Sequence, residues 1–213
     1  MHDLKELVDG YGRFFASRNN EDMRRYQQLA QKGQSPKTMV ISCCDSRVDP
    51  AAIFDVGPGE LFVVRNVANL VPPFEPHGDY HGTSAALEFA VTGLKVENIV
   101  VMGHAQCGGV KACLEGNYGS VAEPGFIQRW MSLLDTAREN VLKTGADDSD
   151  EERQKALELD AIRCSLDNLQ TFPFIKEALA SGTLRIRGAY FSIFHGSLLG
   201  LDSESGEFRS VTV

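Results

Sequence analysis

Met39-Val40-Ile41-Ser42-Cys43-Cys44-Asp45-Ser46-Arg47 and Ile99-Val100-Val101-Met102-Gly103-His104-Ala105-Gln106-Cys107-Gly108-Gly109 are the two stretches on which the reading of this chain turns. Each is a short apolar run that ends on a soft metal ligand. Runs that are apolar at consecutive positions and bounded by turn residues read as strands covered on both faces, the habit of parallel sheets. The run at 39–42, a second at 61–65 and a third at 98–103 alternate with a short helix opened by Pro50 and a longer one over about 82–94. The expected fold class is therefore α/β, with a mainly parallel central β-sheet flanked by helices.

Working outward, residues 3–32 read as two polar helices broken near Asn19-Asn20. Leu4, Leu7, Val8 and Tyr11, then Met23, Tyr26, Leu29 and Ala30, recur at helical spacing. This N-terminal arm has little apolar surface with which to close a core of its own, so it is expected to lie on another surface, that of a partner subunit. Gly33-Gln34-Ser35-Pro36 is a turn. Beyond Gly108-Gly109 a short helix leads to Gly116, and Phe126, Ile127, Trp130, Leu133, Leu134, Ala137 and Val141 mark one amphipathic helix. Another helix runs through Leu159, Ile162, Leu166 and Leu169, and a short one follows Pro173. The C-terminal region, with Leu184, Ile186, Tyr190, Ile193 and Leu198, reads as one extended strand followed by a hairpin that turns at Asp202-Ser203-Glu204-Ser205-Gly206. The acidic run Asp147 to Glu152 is expected to be a solvated loop whose end favours the positive N-terminus of the next helix. The whole, residues 1–213, is expected to be one domain, with 1–33 as its arm.

The composition narrows the setting. A chain of 213 residues with 43% hydrophobic and 23% charged residues is globular and buries a substantial core. A net charge of −8 argues against nucleic-acid or anionic-membrane partners, which need clustered Lys and Arg. No secretory signal and no apolar stretch of membrane-spanning length stands out. Five cysteines, two of them adjacent, make a poor disulfide framework, and a reducing cytoplasm with metal-bound thiols fits better.

Cys43, His104 and Cys107 are three soft ligands where a structural zinc site would carry four, so the expected site is open and suited to hydrolysis or hydration by metal-bound water. Cys44 is not expected to join them, since neighbours on an extended chain point to opposite sides. Cys113 and Cys164 fall on helices and read as small buried hydrophobes.

Cys43-x-Asp45-Ser46-Arg47, then Pro58-Gly59-Glu60-Leu61-Phe62-Val63-Val64-Arg65-Asn66-Val67-Ala68-Asn69-Leu70-Val71, then His104-x-x-Cys107-Gly108-Gly109 resembles the β-class carbonic anhydrases. The similarity runs from about Gln34 to Lys111 and more loosely beyond. It implies a zinc lyase, active as a dimer or an assembly of dimers, that reversibly hydrates CO₂ to bicarbonate and a proton. By position, Cys43, His104 and Cys107 would hold Zn²⁺, and Asp45 and Arg47 would form the catalytic dyad. Asp45 would accept a hydrogen bond from zinc-bound hydroxide while Arg47 clamps it by a bidentate pair that Lys cannot copy.

The resemblance also implies substrate-facing positions. Gln34 matches an amide that would donate to bicarbonate in the plant-like branch, and Phe62 and Val67 match apolar walls for CO₂. Phe89 stands where that branch has a tyrosine. The N–H groups about Gly108, opening a helix, are candidates for holding an anion. A gated branch of the family builds a second bicarbonate pocket from a Trp, an Arg and a Tyr. Here those positions read Val40, Arg65 and Phe191, which implies the ungated form, with Arg65 left as a structural ion-pair partner. His77 and His81 lie in a loop near the site and read first as surface residues. Two other functions fit the same residues: hydrolysis of a related heterocumulene such as CS₂ or COS, decided by access to the site, and a non-catalytic zinc-binding or bicarbonate-sensing module, which would have no need of Asp45 and Arg47.

Overall fold

The apolar runs form strands of one sheet. The computed structural model describes residues 2–17, 20–78, 81–119 and 125–211. In chain order the elements are α1 (His2–Ser17), α2 (Asn20–Lys32), β1 (Thr38–Cys43), α3 (Pro50–Ile53), β2 (Leu61–Asn66), α4 (Gly82–Glu88), β3 (Asn98–His104) and α5 (Gly108–Glu115). Then follow α6 (Phe126–Met131), α7 (Asp135–Thr144), α8 (Asp150–Leu169), α9 (Pro173–Ala180), β4 (Arg185–Ser192), β5 (Ser197–Leu201) and β6 (Phe208–Ser210). They fall into two compact units, Met1–Ser35 and Pro36–Val213.

In the larger unit the sheet has six strands in the order β2-β1-β3-β4-β5-β6. The first four run parallel, and β5 and β6 return antiparallel as a hairpin. The mainly parallel sheet and the C-terminal hairpin expected from the sequence are both present, although Ile193 sits in the turn between β4 and β5. Met39, Ile41, Ile99 and Val101 alternate onto one face and pack there with Leu87, Ile162 and Phe172. The opposite face carries a smaller cluster of Val40, Met102 and Ala189, and Val63 on β2 stays 39% exposed. A third cluster, drawn largely from α5, α7 and α8, encloses Cys43 and Cys107.

Two helices depart from the simple periodic reading. The helix expected over 82–94 changes pitch after Glu88 into a π-helical turn, Phe89–Gly93, because the Leu94 N–H reaches back to the Phe89 carbonyl. The single amphipathic helix expected from Phe126 to Val141 is broken into α6, a 3₁₀ turn at Ser132–Leu134, and α7. The Ser132 hydroxyl donates to the Arg129 carbonyl at 2.8 Å, the local competition that bends helices. Phe126 is 96% exposed rather than on the buried stripe. The acidic run behaves as expected: Ser149 and Glu152 form a reciprocal capping box at the start of α8.

The smaller unit is α1 and α2. Leu4, Leu7, Val8, Tyr11 and Phe15 recur along α1 at helical spacing and are exposed, while Phe14 meets Tyr26 edge-on at 6.1 Å. Of the break expected near Asn19-Asn20, Asn19 lies outside the described residues, and α2 begins at Asn20.

Helix α8 reaches the sheet at two glycines. A Cβ on Gly103 would lie 2.8 Å from Ile162 Cδ1, and one on Gly188 would lie 2.9 Å from Ile162 Cγ2. Ile162 is fully buried in the gap these glycines leave. Ile162→Ala should therefore cost about 2–5 kcal/mol in chemical denaturation; a loss under about 1 kcal/mol would show that the helix does not depend on this contact.

Candidate metal centre

The sheet order sets the place of the site. From β1 the chain steps outward to β2, then returns to put β3 on the other side of β1. The loops after β1 and β3 therefore part in opposite directions, and the carboxyl ends of these two strands open a crevice, where α/β sheets bind ligands. Cys43 is the last residue of β1 and His104 the last of β3. Cys107 follows one tight turn later, at the N-cap of α5.

One ligand atom from each of these residues lies within 4.8 Å of the others, and all three residues are buried. Two thiolates on a tetrahedral Zn²⁺ at about 2.3 Å each sit about 3.8 Å apart, against 3.9 Å between Cys43 Sγ and Cys107 Sγ. His104 Nδ1 lies 2.9 Å from the Ala105 carbonyl and is the atom that donates there, which leaves Nε2, buried and without a hydrogen-bond partner, as the ligating nitrogen. The residues thus fit a soft divalent metal. The Cys107 thiol, His104 and the backbone N–H groups of Asp45 and Ala68 pull the Cys43 pKa far below its usual value against the effect of burial. The Cys107 thiol, facing that sulfur, is pushed up. A cation between them removes the conflict, because both sulfurs then ligate as thiolates.

Asp45 stands over this cluster, with Oδ2 3.9 Å from His104 Nε2. Arg47 Nε donates to Asp45 Oδ1 at 2.9 Å and Nη2 donates to Oδ2 at 2.7 Å, a bidentate fork. The guanidinium holds the Asp45 carboxyl well below the usual carboxylate range. The stabilisation this gives is complete above that range and is lost only as pH falls through the lowered value, so Asp45 is ionised at neutral pH. Arg65 secures the same loop from beneath. It donates from Nε to the Cys43 carbonyl at 2.9 Å and from Nη2 to the Asp45 carbonyl at 2.6 Å, and it pairs with Asp49 at 3.2 Å. The expected structural ion pair is there, and the carbonyl clamp is an addition to it.

Backbone strain gathers at the same place. Of the five non-glycine residues with positive φ among the described residues, three, Ala68 (63°), Asn69 (52°) and Gln106 (57°), lie close to these side chains: Ala68 packs with Cys43 and Cys107, Asn69 lies against Gly103, and Gln106 precedes Cys107. Such conformations cost non-glycine residues about 1–2 kcal/mol each and persist only where neighbours enforce them. Asn66 bridges the first pair, accepting from the Leu70 N–H and donating to its carbonyl, and Trp130 Nε1 donates to the Val67 carbonyl at 2.8 Å. At the second, Arg47 Nη2 donates to the Gln106 carbonyl at 3.1 Å, and the Cys107 N–H donates to Glu158 Oε1 at 2.9 Å. Sequence reading took Trp130 and Tyr190 only as apolar positions of a helix and a strand, and passed over Glu158. A glutamate on the buried stripe of α8, beside Leu157 and Ala161, was the one available signal.

The substrate-facing positions scatter. Val67 joins the cluster that encloses Cys43 and Cys107. Phe62 and Phe89 meet each other at 5.9 Å but at the wrong end of the sheet for their own metal ligands. Phe62 pairs with Met39, four residues before Cys43, or about 13 Å along a strand. Gln34 is exposed and belongs to the arm unit. The glycines after Cys107 are not needed for the turn, whose positive φ falls on Gln106. Gly108 has open space around it, whereas a Cβ on Gly109 would lie 2.6 Å from Val67 Cγ1, so close approach rather than dihedral freedom explains Gly109. Val40 is buried among apolar residues and Phe191 packs beside the metal cluster. His77 is exposed, and His81 precedes α4. Cys44 is exposed and free.

Comparison with known proteins agrees with this geometry. A family model described as carbonic anhydrase matches residues 38–198. Beta carbonic anhydrase 3 of Arabidopsis thaliana is 35% identical over 196 residues, 91% of this chain and 75% of the relative. Among solved structures, the β-carbonic anhydrase CcaA superposes with a TM-score of 0.92 at 30% identity, covering 100% of this chain and 94% of the other. A tetrameric β-carbonic anhydrase of the ascomycete Sordaria macrospora gives 0.83 at 27% identity, with both chains fully covered.

The ligand assignment has a direct test. Elemental analysis of purified protein should find one metal ion per chain in the wild type and in Cys44→Ser, and almost none in Cys43→Ser, His104→Ala or Cys107→Ser. Loss of metal from Cys44→Ser would refute the assignment.

Proposed function

The chain belongs to the β-carbonic anhydrase family, and from that premise we propose that it hydrates CO₂ reversibly to bicarbonate and a proton with Zn²⁺ held by Cys43, His104 and Cys107. The observation that carries this reading is the carboxylate of Asp45, fixed by Arg47 and poised over the ligand cluster. A purely structural metal site has no use for it. When bound, Zn²⁺ supplies Lewis-acid activation of water for attack at neutral pH.

The chain's own residues do the rest. Asp45 uses its remaining lone pairs to accept a hydrogen bond from the attacking water, which turns that water's own lone pair toward the CO₂ carbon. Arg47 keeps the carboxylate ionised and turned in that direction. Val67 provides apolar wall for a substrate with little hydrogen-bonding capacity. The apolar packing of Val40 and Phe191 favours the ungated, plant-like branch, because neither can hold a second bicarbonate. The free thiols suit a reducing, cytoplasmic setting.

The active unit in this reading is a homodimer or an assembly of dimers. Phe62 and Phe89 lie away from their own ligands, and Phe89, Val63 and the stripe on α1 are all exposed. A partner's arm covering such surfaces would form an interface of the obligate class, above about 2,000 Å². Gln34 and Phe89 of one chain would then complete the site whose metal ligands belong to the other.

Stopped-flow hydration assays at equal metal content test the dyad. Asp45→Asn and Arg47→Lys should each keep the metal and lose about 10-fold or more in kcat/KM, the ordinary scale for a group acting in the transition state. Near-normal rates in either variant at pH 8 would remove the pair from the mechanism. Deleting residues 1–32 should abolish dimerisation and activity together. Mixed Gln34→Ala and Cys43→Ser chains should regain part of the activity, since some heterodimers carry one intact site. A fully active monomer in sedimentation would defeat the shared site.

A further inference from the structure

We propose that Glu158 is a positioning residue for the metal centre: from the opposite side of the turn it holds the backbone of Cys107, and so fixes the sulfur at which the metal binds. This rests on the reading of Cys107 as a ligand.

Four backbone groups around the turn have defined partners. The Ala105 N–H donates to the Phe191 carbonyl at 2.9 Å, and the Ala105 carbonyl takes His104 Nδ1. The Gln106 carbonyl accepts from Arg47 Nη2, and the Cys107 N–H donates to Glu158 Oε1. Glu158 is the only one of these partners that belongs to neither strand nor dyad. It sits on α8 with 3% exposure. It is itself fixed, since Gln154 Nε2 donates to Oε1 at 2.9 Å and the Tyr190 hydroxyl donates to Oε2 at 2.8 Å. A buried carboxyl is a costly way to satisfy one N–H. An apolar residue at this place on α8 would leave the Cys107 N–H buried without a partner, directly after Gln106 in its strained conformation. The turn would then gain by letting Gln106 relax, carrying Cys107 Sγ away from Cys43 Sγ. Glu158 opposes that relaxation, and it does so in either protonation state, because an oxygen lone pair faces the N–H in both.

The role separates from general packing by its effect on the metal. In Glu158→Met, which keeps the volume and removes the acceptor, release of the bound metal to a chromogenic chelator should accelerate about 10-fold or more, the usual scale for partners that orient ligands. The visible d–d bands of the Co²⁺-substituted protein should shift and broaden. Glu158→Gln keeps an amide oxygen for the Cys107 N–H and should restore both readouts to within about 3-fold of wild type. Asn168→Ala removes a hydrogen bond made by the same helix, to the Val71 carbonyl, without touching Glu158 or Cys107; it should lower thermal stability yet leave metal release and the cobalt bands unchanged. Should Glu158→Met fail to fold, Glu158→Asp, one methylene short of the N–H, should show the same faster release. Wild-type release from the Met variant (or from Asp in its place) overturns the proposal, and so does equal acceleration in Asn168→Ala. The two readings stay distinguishable: if Cys107→Ser retains the metal the ligand assignment fails, whereas loss there with wild-type release from Glu158→Met defeats only the role of Glu158.

Discussion

The reversal at Gln106 is the constraint on which the rest depends. His104 must leave β3 and Cys107 must open α5, yet both must face Cys43 across the sheet crevice. The chain manages this in two intervening residues by placing Gln106 at a φ of 57°. That conformation is unfavourable for a glutamine and is held by its surroundings. Arg47 grips its carbonyl, and the next N–H is taken by Glu158. Arg47 therefore acts twice, orienting Asp45 and closing the turn that carries two of the three candidate ligands. One guanidinium thus ties the Asp45 carboxylate to the turn between His104 and Cys107.

This arrangement explains why the site sits at the edge between two kinds of packing. On one side the alternating apolar residues of β1 and β3 give an incompressible floor. On the other, the helices around Cys107 make a second cluster, with Val67 and Gly109 in near contact. Ligands at strand ends inherit the rigidity of the sheet, while the dyad, on the short loop after β1, remains open to solvent on the Arg47 side. Arg65 reconciles the two by tying the loop's carbonyls down to β2.

Much of this was legible in the sequence, for identifiable reasons. Metal chemistry restricts ligand types so strongly that Cys43, His104 and Cys107 stand out at the ends of apolar runs, and a carboxylate two residues from an arginine is a local pattern. Strand periodicity gave the parallel core because nothing competes with it in a buried sheet. The misreadings were also physical. The helix from Phe126 to Val141 breaks because a serine hydroxyl takes a carbonyl at Arg129, an event that apolar spacing does not register. Glu158 escaped notice because its partner is a backbone N–H fifty-one positions away. Gly108 stood out in the sequence for its N–H at a helix start, whereas the strain of this turn falls on Gln106, whose residue type gives no sign of it. The resemblance set Phe62 and Phe89 among the substrate-facing positions; that they pack against each other away from the candidate ligands of their own chain is a matter of register, which only the strand pairing reveals.

A crystal structure of the metal-loaded protein at about pH 7.5 tests the central claim most directly, since the resting pKa of a metal-activated water lies near that value. One metal is expected on Cys43, His104 and Cys107, with a solvent oxygen in the fourth position and Asp45 still clamped by Arg47. A structure in which the Asp45 carboxylate itself binds the metal and Arg47 stands unpaired would contradict it.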